Sequence, residues 1–133
     1  MLINVSYNNP KIKSKINSLI GSPYSLFERI KMGGVGSRNL KILGSSTQIQ
    51  NVLNLDNNQN RCNIEIRKKG IIIFFRSLLE TYALVIPFYK LNIFKGDSNI
   101  YSVHIDQFKI KIQVKNKSDF NFFKKIQRSK ISN

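Results

Sequence analysis

The stretch GIIIFFRSLLETYALVIPFYKL, residues 70–91, most constrains the fold, because it is either a membrane span or a pair of strands. A spanning helix needs about 20 consecutive apolar residues. Three charged residues interrupt the stretch: Arg76, Glu80 and Lys90. The longest uncharged piece, residues 81–89, contains Pro87, which would kink a helix. Since β-branched and aromatic residues fill both halves, the stretch predicts two strands joined by the loop RSLLE.

Two short amphipathic helices are predicted ahead of this stretch. The first has Asn9 as its N-cap, Pro10 in its first turn and Gly21 as its stop. Its apolar residues fall on one helical stripe: Ile12, Ile16, Leu19 and Ile20. A second helix is predicted to begin at residues 22–23 and to end at residues 33–34. Its predicted buried face consists of Leu26, Phe27 and Ile30.

Seven short strands are predicted after the helices, because the apolar period changes from that of a helix to two. They cover residues 40–43, 49–53, 62–67, 70–75, 81–91, 101–105 and 108–114. The third and fourth form a hairpin in which Gly70 supplies the positive φ of a tight turn. Pro87 places an edge or a bend in the fifth strand, because proline cannot donate to a central ladder.

The last two strands are predicted to form a hairpin that feeds a final helix. The apolar phase flips at Asp106 and Gln107, so a two-residue turn there puts both apolar sets on one face. The opposite, solvated face carries His104, Lys109, Lys111, Gln113 and Lys115. Ser118 is the predicted N-cap of the helix. Its buried stripe consists of Phe122, Phe123 and Ile126. The predicted class is mainly β, of the α+β type.

Two segments carry a resemblance to a known superfamily. LVIPFYKL, residues 84–91, and SDFNFFKKIQ, residues 118–127, resemble a strand and the closing helix of the bacterial pleckstrin-homology-like domains and of the related GRAM domains. The likeness covers roughly residues 38–130. It implies a seven-stranded split barrel of two near-perpendicular sheets, whose open end the C-terminal helix fills. Residues 1–36 would then be a helical extension and residues 37–133 the barrel domain. An OB-like or lipocalin-like barrel is the alternative.

The charge balance predicts an anionic partner. The chain has 22 Lys and Arg against 7 Asp and Glu, for a formal net charge of +15. AT-rich codon usage would explain the lysines but not the shortage of carboxylates, so the excess favours lipid headgroups, an acidic protein or nucleic acid. One candidate contact is a hairpin tip made of Arg67, Lys68 and Lys69. The other is a row on one strand face, made of Lys109, Lys111 and Lys115, which would alternatively protect a sheet edge.

No pattern of residues indicates catalysis, a metal or a cofactor. The loop GGVGSRN, residues 33–39, lacks the preceding strand and the third glycine of the G-x-G-x-x-G dinucleotide motif, and it lacks the Gly-Lys-Ser/Thr of a P-loop. A helix stop followed by a hinge is therefore favoured. His104 has Asp106 two residues away but no nucleophile in a recognisable motif. Cys62 alternates in phase with apolar neighbours and is predicted to be a buried thiol. With one cysteine and no export signal, the predicted location is the cytoplasm, with peripheral contact to the inner membrane face.

The sequence therefore predicts a non-enzymatic binding module with basic surfaces that dock on anionic lipid headgroups or on an acidic protein. In the resembled superfamily, phosphoinositide-binding members carry a basic motif around the first two strands. This chain has only Arg38 and Lys41 there, which argues against specific inositol-phosphate recognition. Nucleic-acid binding is the alternative, in which the same cations neutralise phosphates and exposed aromatic rings stack on bases.

Overall fold

The described residues form one antiparallel sheet with helices packed on it. A computed structural model describes residues 1–55, 60–97 and 99–132. The strands are β1 Leu2–Asn4, β2 Leu40–Ser45, β3 Arg61–Arg67, β4 Gly70–Ser77, β5 Glu80–Pro87, β6 Asn92–Lys95, β7 Ile100–Ile105 and β8 Phe108–Gln113. The helices are α1 Pro10–Ile20, α2 Leu26–Met32, α3 Thr47–Leu53 and α4 Lys117–Ile131, with a 3₁₀ turn at Phe88–Lys90. The strand order is β1-β5-β4-β3-β2-β8-β7-β6. The mainly β, α+β class is thus confirmed.

Strand β4 is apolar along nearly its whole length because both of its faces are buried. Ile71, Ile73 and Phe75 face the main core. Ile72, on the other face, joins a second apolar cluster beneath α1. Such a strand needs no alternation of polar and apolar residues. The stretch at residues 70–91 is therefore a strand pair, and its loop is a two-residue turn in which Leu78 has φ 58°.

Gly70 serves close packing rather than a positive φ, so that part of the sequence prediction is wrong. The positive-φ glycines of the described residues are Gly21, Gly33 and Gly34. A Cβ on Gly70 would lie 2.3 Å from the carbonyl oxygen of Ile86 and 2.5 Å from Cγ2 of Ile20. Gly70 therefore lets β5 and the end of α1 approach the start of β4.

Two elements differ from the predicted strands. Residues 49–53, predicted as a strand, lie in α3, Thr47–Leu53, in which Ile49 and Leu53 are buried on one side. Their i, i+4 spacing fits a helix face. Two strands were not predicted from the sequence. They are β6, Asn92–Lys95, and β1, which pairs with β5. How the chain divides between residues 1–36 and 37–133 stays a prediction, although β1 joins the sheet directly.

The C-terminal hairpin and helix close the main core. Strands β7 and β8 pair across the two-residue turn that the sequence predicted, with Ile105 opposite Phe108. Asp106 in the turn has φ 50°. The predicted stripe of α4 is buried, and the Tyr101 ring stacks on Phe123 with centroids 4.6 Å apart. The N-cap of α4 is Asn116 rather than Ser118, because the Asn116 side chain accepts a hydrogen bond from the Asp119 amide.

Candidate anion-binding surfaces

The β3–β4 turn exposes Lys68 and Lys69 but not Arg67. The Arg67 side chain is buried, with its Nε paired to Glu65. Its guanidinium also donates to Oδ1 of Asn17 at 3.1 Å and to the carbonyl oxygen of Gly21 at 3.0 Å. Arg67 therefore fastens the hairpin to α1, and the basic tip consists of the two lysines.

The turn lies against the end of α1 and the start of α2. The Lys69 amide donates to the carbonyl oxygen of Ile20 at 2.8 Å. The Lys68 ammonium is 3.9 Å from the Glu28 carboxylate and 5.9 Å from the centroid of the Tyr24 ring. Hydrogen bonds from the Ser25 backbone and side chain lower the pKa of Glu28, so that its carboxylate is ionised beside Lys68. The structure thus brings the basic tip next to α2.

Helix α2 exposes the face that the sequence predicted to be buried. Its exposed apolar residues are Leu26 at 73%, Phe27 at 71% and Ile30 at 71%. The helix begins at Leu26 rather than at residues 22–23, because Ser25 and Glu28 form a capping box. Less than two turns follow, and only Met32 of the helix packs against the main core. The apolar pattern identified one side of α2 correctly but assigned it to the interior.

Cations surround this exposed face. Arg29 and Lys31 are exposed on the same helix, and the Lys31 ammonium is 5.7 Å from the centroid of the Phe27 ring. At the helix end, the Lys125 ammonium donates to the carbonyl oxygens of Gly33 and Gly34. We define the α2 surface as Leu26, Phe27, Arg29, Ile30, Lys31, Lys68 and Lys69. The helical part of this surface was not predicted from the sequence, although a helical projection places Arg29 and Lys31 on either side of the apolar residues.

The predicted lysine row lies on a central strand. Strand β8 is paired to β2 on one side and to β7 on the other, so it is not a sheet edge and needs no protection. Lys109 and Lys111 point away from the core, opposite His104 and Ser102 of β7. Lys115 is exposed beyond the end of the strand. Lys109 and Lys111 therefore belong to the outer face of the sheet, whereas Lys115 lies outside the strand.

The single histidine, His104, and the single cysteine, Cys62, both lie among residues of the sheet. The His104 ring meets Phe94 edge-on, with centroids 5.0 Å apart. Burial, and then the charge of Lys109, lowers the pKa of His104. Asp106 lies 3.6 Å from the Lys90 ammonium, in an ion pair rather than in contact with the imidazole. Cys62 is buried as predicted, and burial raises its pKa to about 12, so its thiol is protonated at neutral pH.

The glycine-rich loop ends α2 and then runs along β3. Gly33 is in the left-handed conformation that terminates a helix, as the sequence predicted. The carbonyl oxygen of Val35 accepts a hydrogen bond from the Ile66 amide, and the Ser37 amide donates to the carbonyl oxygen of Ile64, both at 2.8 Å. The loop is therefore bound to β3, where the sequence predicted a hinge. A cleft of about 420 Å³ lies between the loop and α4. Its cationic lining residues are Arg38, Lys117 and Lys125.

Comparisons with known proteins do not identify this chain. No protein-family model, no curated protein and no solved structure matches it. Within residues 1–55, 60–97 and 99–132, no helix combines the length and the apolar composition that a bilayer crossing requires.

Proposed function

We propose that the protein is a non-enzymatic binding module that docks on anionic lipid headgroups through the cations of the α2 surface. The observation that carries the proposal is the contact between the basic β3–β4 turn and α2. Lys68 lies against Glu28 and Tyr24, which joins the exposed turn to the cations of the helix. A membrane surface is broad and anionic, so its electrostatic attraction acts on the cations of the turn and of the helix together.

The energetics favour such docking most strongly at low salt. Each Lys or Arg near an anionic bilayer contributes about 1 kcal/mol. The α2 surface holds four exposed cations: Arg29, Lys31, Lys68 and Lys69. The net charge of +15 adds a long-range attraction that speeds approach and weakens as salt rises.

We also propose the pleckstrin-homology-like fold for the part of the chain from β2 onwards. Support comes from the order of elements, since seven consecutive antiparallel strands, β2 to β8, precede α4. The apolar stripe of α4 is buried in the core shared with these strands. The expected location is the cytoplasm, with the α2 surface against the inner membrane face.

Vesicle binding by two matched charge-reversal variants tests the function. The vesicles contain phosphatidylcholine alone or with phosphatidylglycerol, and bound protein is measured by flotation. We expect binding only with the anionic lipid, and at least about a tenfold weakening in Lys68→Glu/Lys69→Glu, given the contribution of each cation. Lys109→Glu/Lys111→Glu changes the net charge equally and is expected to bind more strongly than the first variant. Equal loss in both variants, or no binding at low salt, contradicts the proposal.

Nucleic-acid binding by the outer sheet face is a second candidate. Phe94 is 57% exposed and contacts His104, which is directly opposite Lys109 in the sheet. An aromatic ring therefore accompanies the lysine row, as base stacking requires. In the same experiment, single-stranded oligonucleotides replace vesicles. Oligonucleotide binding that Lys109→Glu/Lys111→Glu abolishes, without vesicle binding by the unaltered protein, favours this second function.

A further inference from the structure

We propose that α2 inserts its apolar face into an anionic bilayer, so that docking combines electrostatic attraction with shallow burial of Leu26, Phe27 and Ile30. This inference rests on the proposed function and deepens it, since it assigns a hydrophobic anchor to the same surface. The anchor requires a partner whose surface is anionic and whose interior, a few ångströms below, is apolar.

The helix that carries the exposed side chains is anchored to the rest of the fold. The capping box of Ser25 and Glu28 fixes the start of α2, and Gly33 in the left-handed conformation fixes its end. Met32 packs against the main core, and the Arg29 guanidinium donates to the carbonyl oxygen of Tyr24 at 3.0 Å. The helix therefore presents three large apolar side chains to the outside in a fixed arrangement. A contiguous apolar group of this kind marks an interaction site.

The order of residues around α2 matches a helix that lies in a membrane interface. Successive residues advance by about 100°, so Leu26, Ile30 and Phe27 span an arc of about 100°. Arg29 borders this arc on one side and Lys31 on the other. Glu28 and Met32 lie on the opposite side of the helix. Interfacial helices carry apolar residues on the buried face and cations at its borders, where they reach the headgroups.

Charge complementarity selects a bilayer over a second copy of the chain. Two copies meeting through their α2 surfaces would bring together like-charged cations on two molecules of formal charge +15 each. Anionic headgroups instead neutralise the bordering cations while the acyl region accepts the apolar residues. The helix has seven residues and is about 10 Å long, which fits the shallow depth of an interfacial helix rather than a span.

A single introduced tryptophan reports the insertion directly, because the natural chain contains none. In Phe27→Trp, we expect a blue shift of the emission on binding to phosphatidylcholine and phosphatidylglycerol vesicles, and quenching by lipids brominated on the acyl chains. The matched control is Leu79→Trp, at a residue that is 89% exposed in the β4–β5 turn. The eight residues of β4, roughly 25 Å long, separate the β4–β5 turn from the β3–β4 turn, which lies beside α2. The control emission is expected to stay unchanged.

A serine variant separates this inference from the proposed function. Leu26→Ser/Phe27→Ser/Ile30→Ser alters exposed side chains, so its circular dichroism is expected to match that of the unaltered protein. We expect it to bind anionic vesicles at low salt. At moderate salt, where apolar burial is needed, we expect its affinity to be about tenfold or more below that of the unaltered protein. If the unaltered protein binds no vesicles, the proposed function fails.

The remaining outcomes contradict the anchor. Salt-reversible vesicle binding with no change in the Phe27→Trp emission would leave an electrostatic module without insertion. Quenching of Leu79→Trp in place of Phe27→Trp would move the membrane contact to the opposite end of the hairpin. A dimer of the unaltered protein that the serine variant abolishes would make a second copy the occupant of the apolar face.

Discussion

At the scale of single residues, Gly70 has the least room for a side chain among the described glycines. The carbonyl oxygen of Ile86 and the side chain of Ile20 occupy the space that any larger residue would need. We expect Gly70→Ala to lower the free energy of unfolding by about 1 to 3 kcal/mol, because either the β5 backbone or α1 must shift. Equilibrium urea denaturation measures the change.

Gly44 provides the control for this prediction. It also lies in a strand, but a Cβ there meets no atom within 4 Å. We expect Gly44→Ala to change the free energy of unfolding by less than about 1 kcal/mol. If the two alanine variants are equally stable, the crowding at Gly70 has no energetic consequence, and the close approach of β5 and α1 to β4 is wrong.

At the scale of elements, Arg67 connects the β3–β4 hairpin to α1. The Arg67 guanidinium binds Glu65, Asn17 and the C-cap carbonyl of Gly21. Truncating it would leave a carboxylate and a helix-end carbonyl without their donor. We expect Arg67→Ala to cost about 2 to 4 kcal/mol and to loosen α1. Hydrogen exchange of the amides in residues 10–20 should accelerate in this variant.

Lys69→Ala is the comparison for the Arg67 prediction. Lys69 is the neighbouring basic residue, but its side chain is exposed, and its hydrogen bond to the carbonyl oxygen of Ile20 comes from the backbone amide. Exchange in residues 10–20 is expected to be unchanged in this variant. Acceleration by Lys69→Ala as large as that by Arg67→Ala would mean that the loss of positive charge, rather than the buried contacts of Arg67, controls the docking of α1.

Several elements could be predicted from local patterns because one physical cause dominates each. The flip of the apolar phase at Asp106 and Gln107 determines the β7–β8 turn, because only a two-residue turn keeps both strands facing the core. The side chain of Asn9 and the ring of Pro10 determine where α1 begins. In these places the chain needs no information from distant residues.

Other elements depend on tertiary packing that no local pattern contains. The apolar spacing of residues 49–53 suits either a strand or a helix, and the formation of α3 depends on its place in the core. Strand β6 has no buried residue, so it lacks an alternating pattern to detect. In α2 the pattern identifies an apolar side without revealing whether a core faces it.

The candidate site also combines features that follow from the local sequence with features that depend on distant contacts. The exposure of Lys68 and Lys69 follows from their place in a tight turn, which the sequence predicts from the hairpin pattern. Arg67 was predicted to lie in the exposed hairpin tip with Lys68 and Lys69. Helix α1 covers it instead, and the position of α1 depends on contacts with β4 and β5 that lie far along the chain.

At the scale of the whole molecule, the uneven charge opposes folding while it favours docking. The formal charge is +15, and the ion pairs found among the described residues are Arg67–Glu65, Lys68–Glu28 and Lys90–Asp106. Most of the cations therefore repel one another across the folded surface. The lysines of β8 and the cations of α2 lie on different elements, so these charges are not concentrated on one part of the fold.

This charge predicts opposite responses of folding and docking to salt. Between about 20 and about 300 mM NaCl the Debye length falls from roughly 20 Å to about 6 Å, which screens repulsion among the exposed cations. We therefore expect the melting temperature to rise across this range while anionic-vesicle binding weakens. Lys68→Glu/Lys69→Glu lowers the formal charge by four, so both responses should be smaller in that variant. Thermal unfolding followed by circular dichroism, with flotation at the same salt concentrations, measures both. A melting temperature that falls with added salt would show that ion pairs, rather than repulsion, dominate the electrostatics of the folded chain.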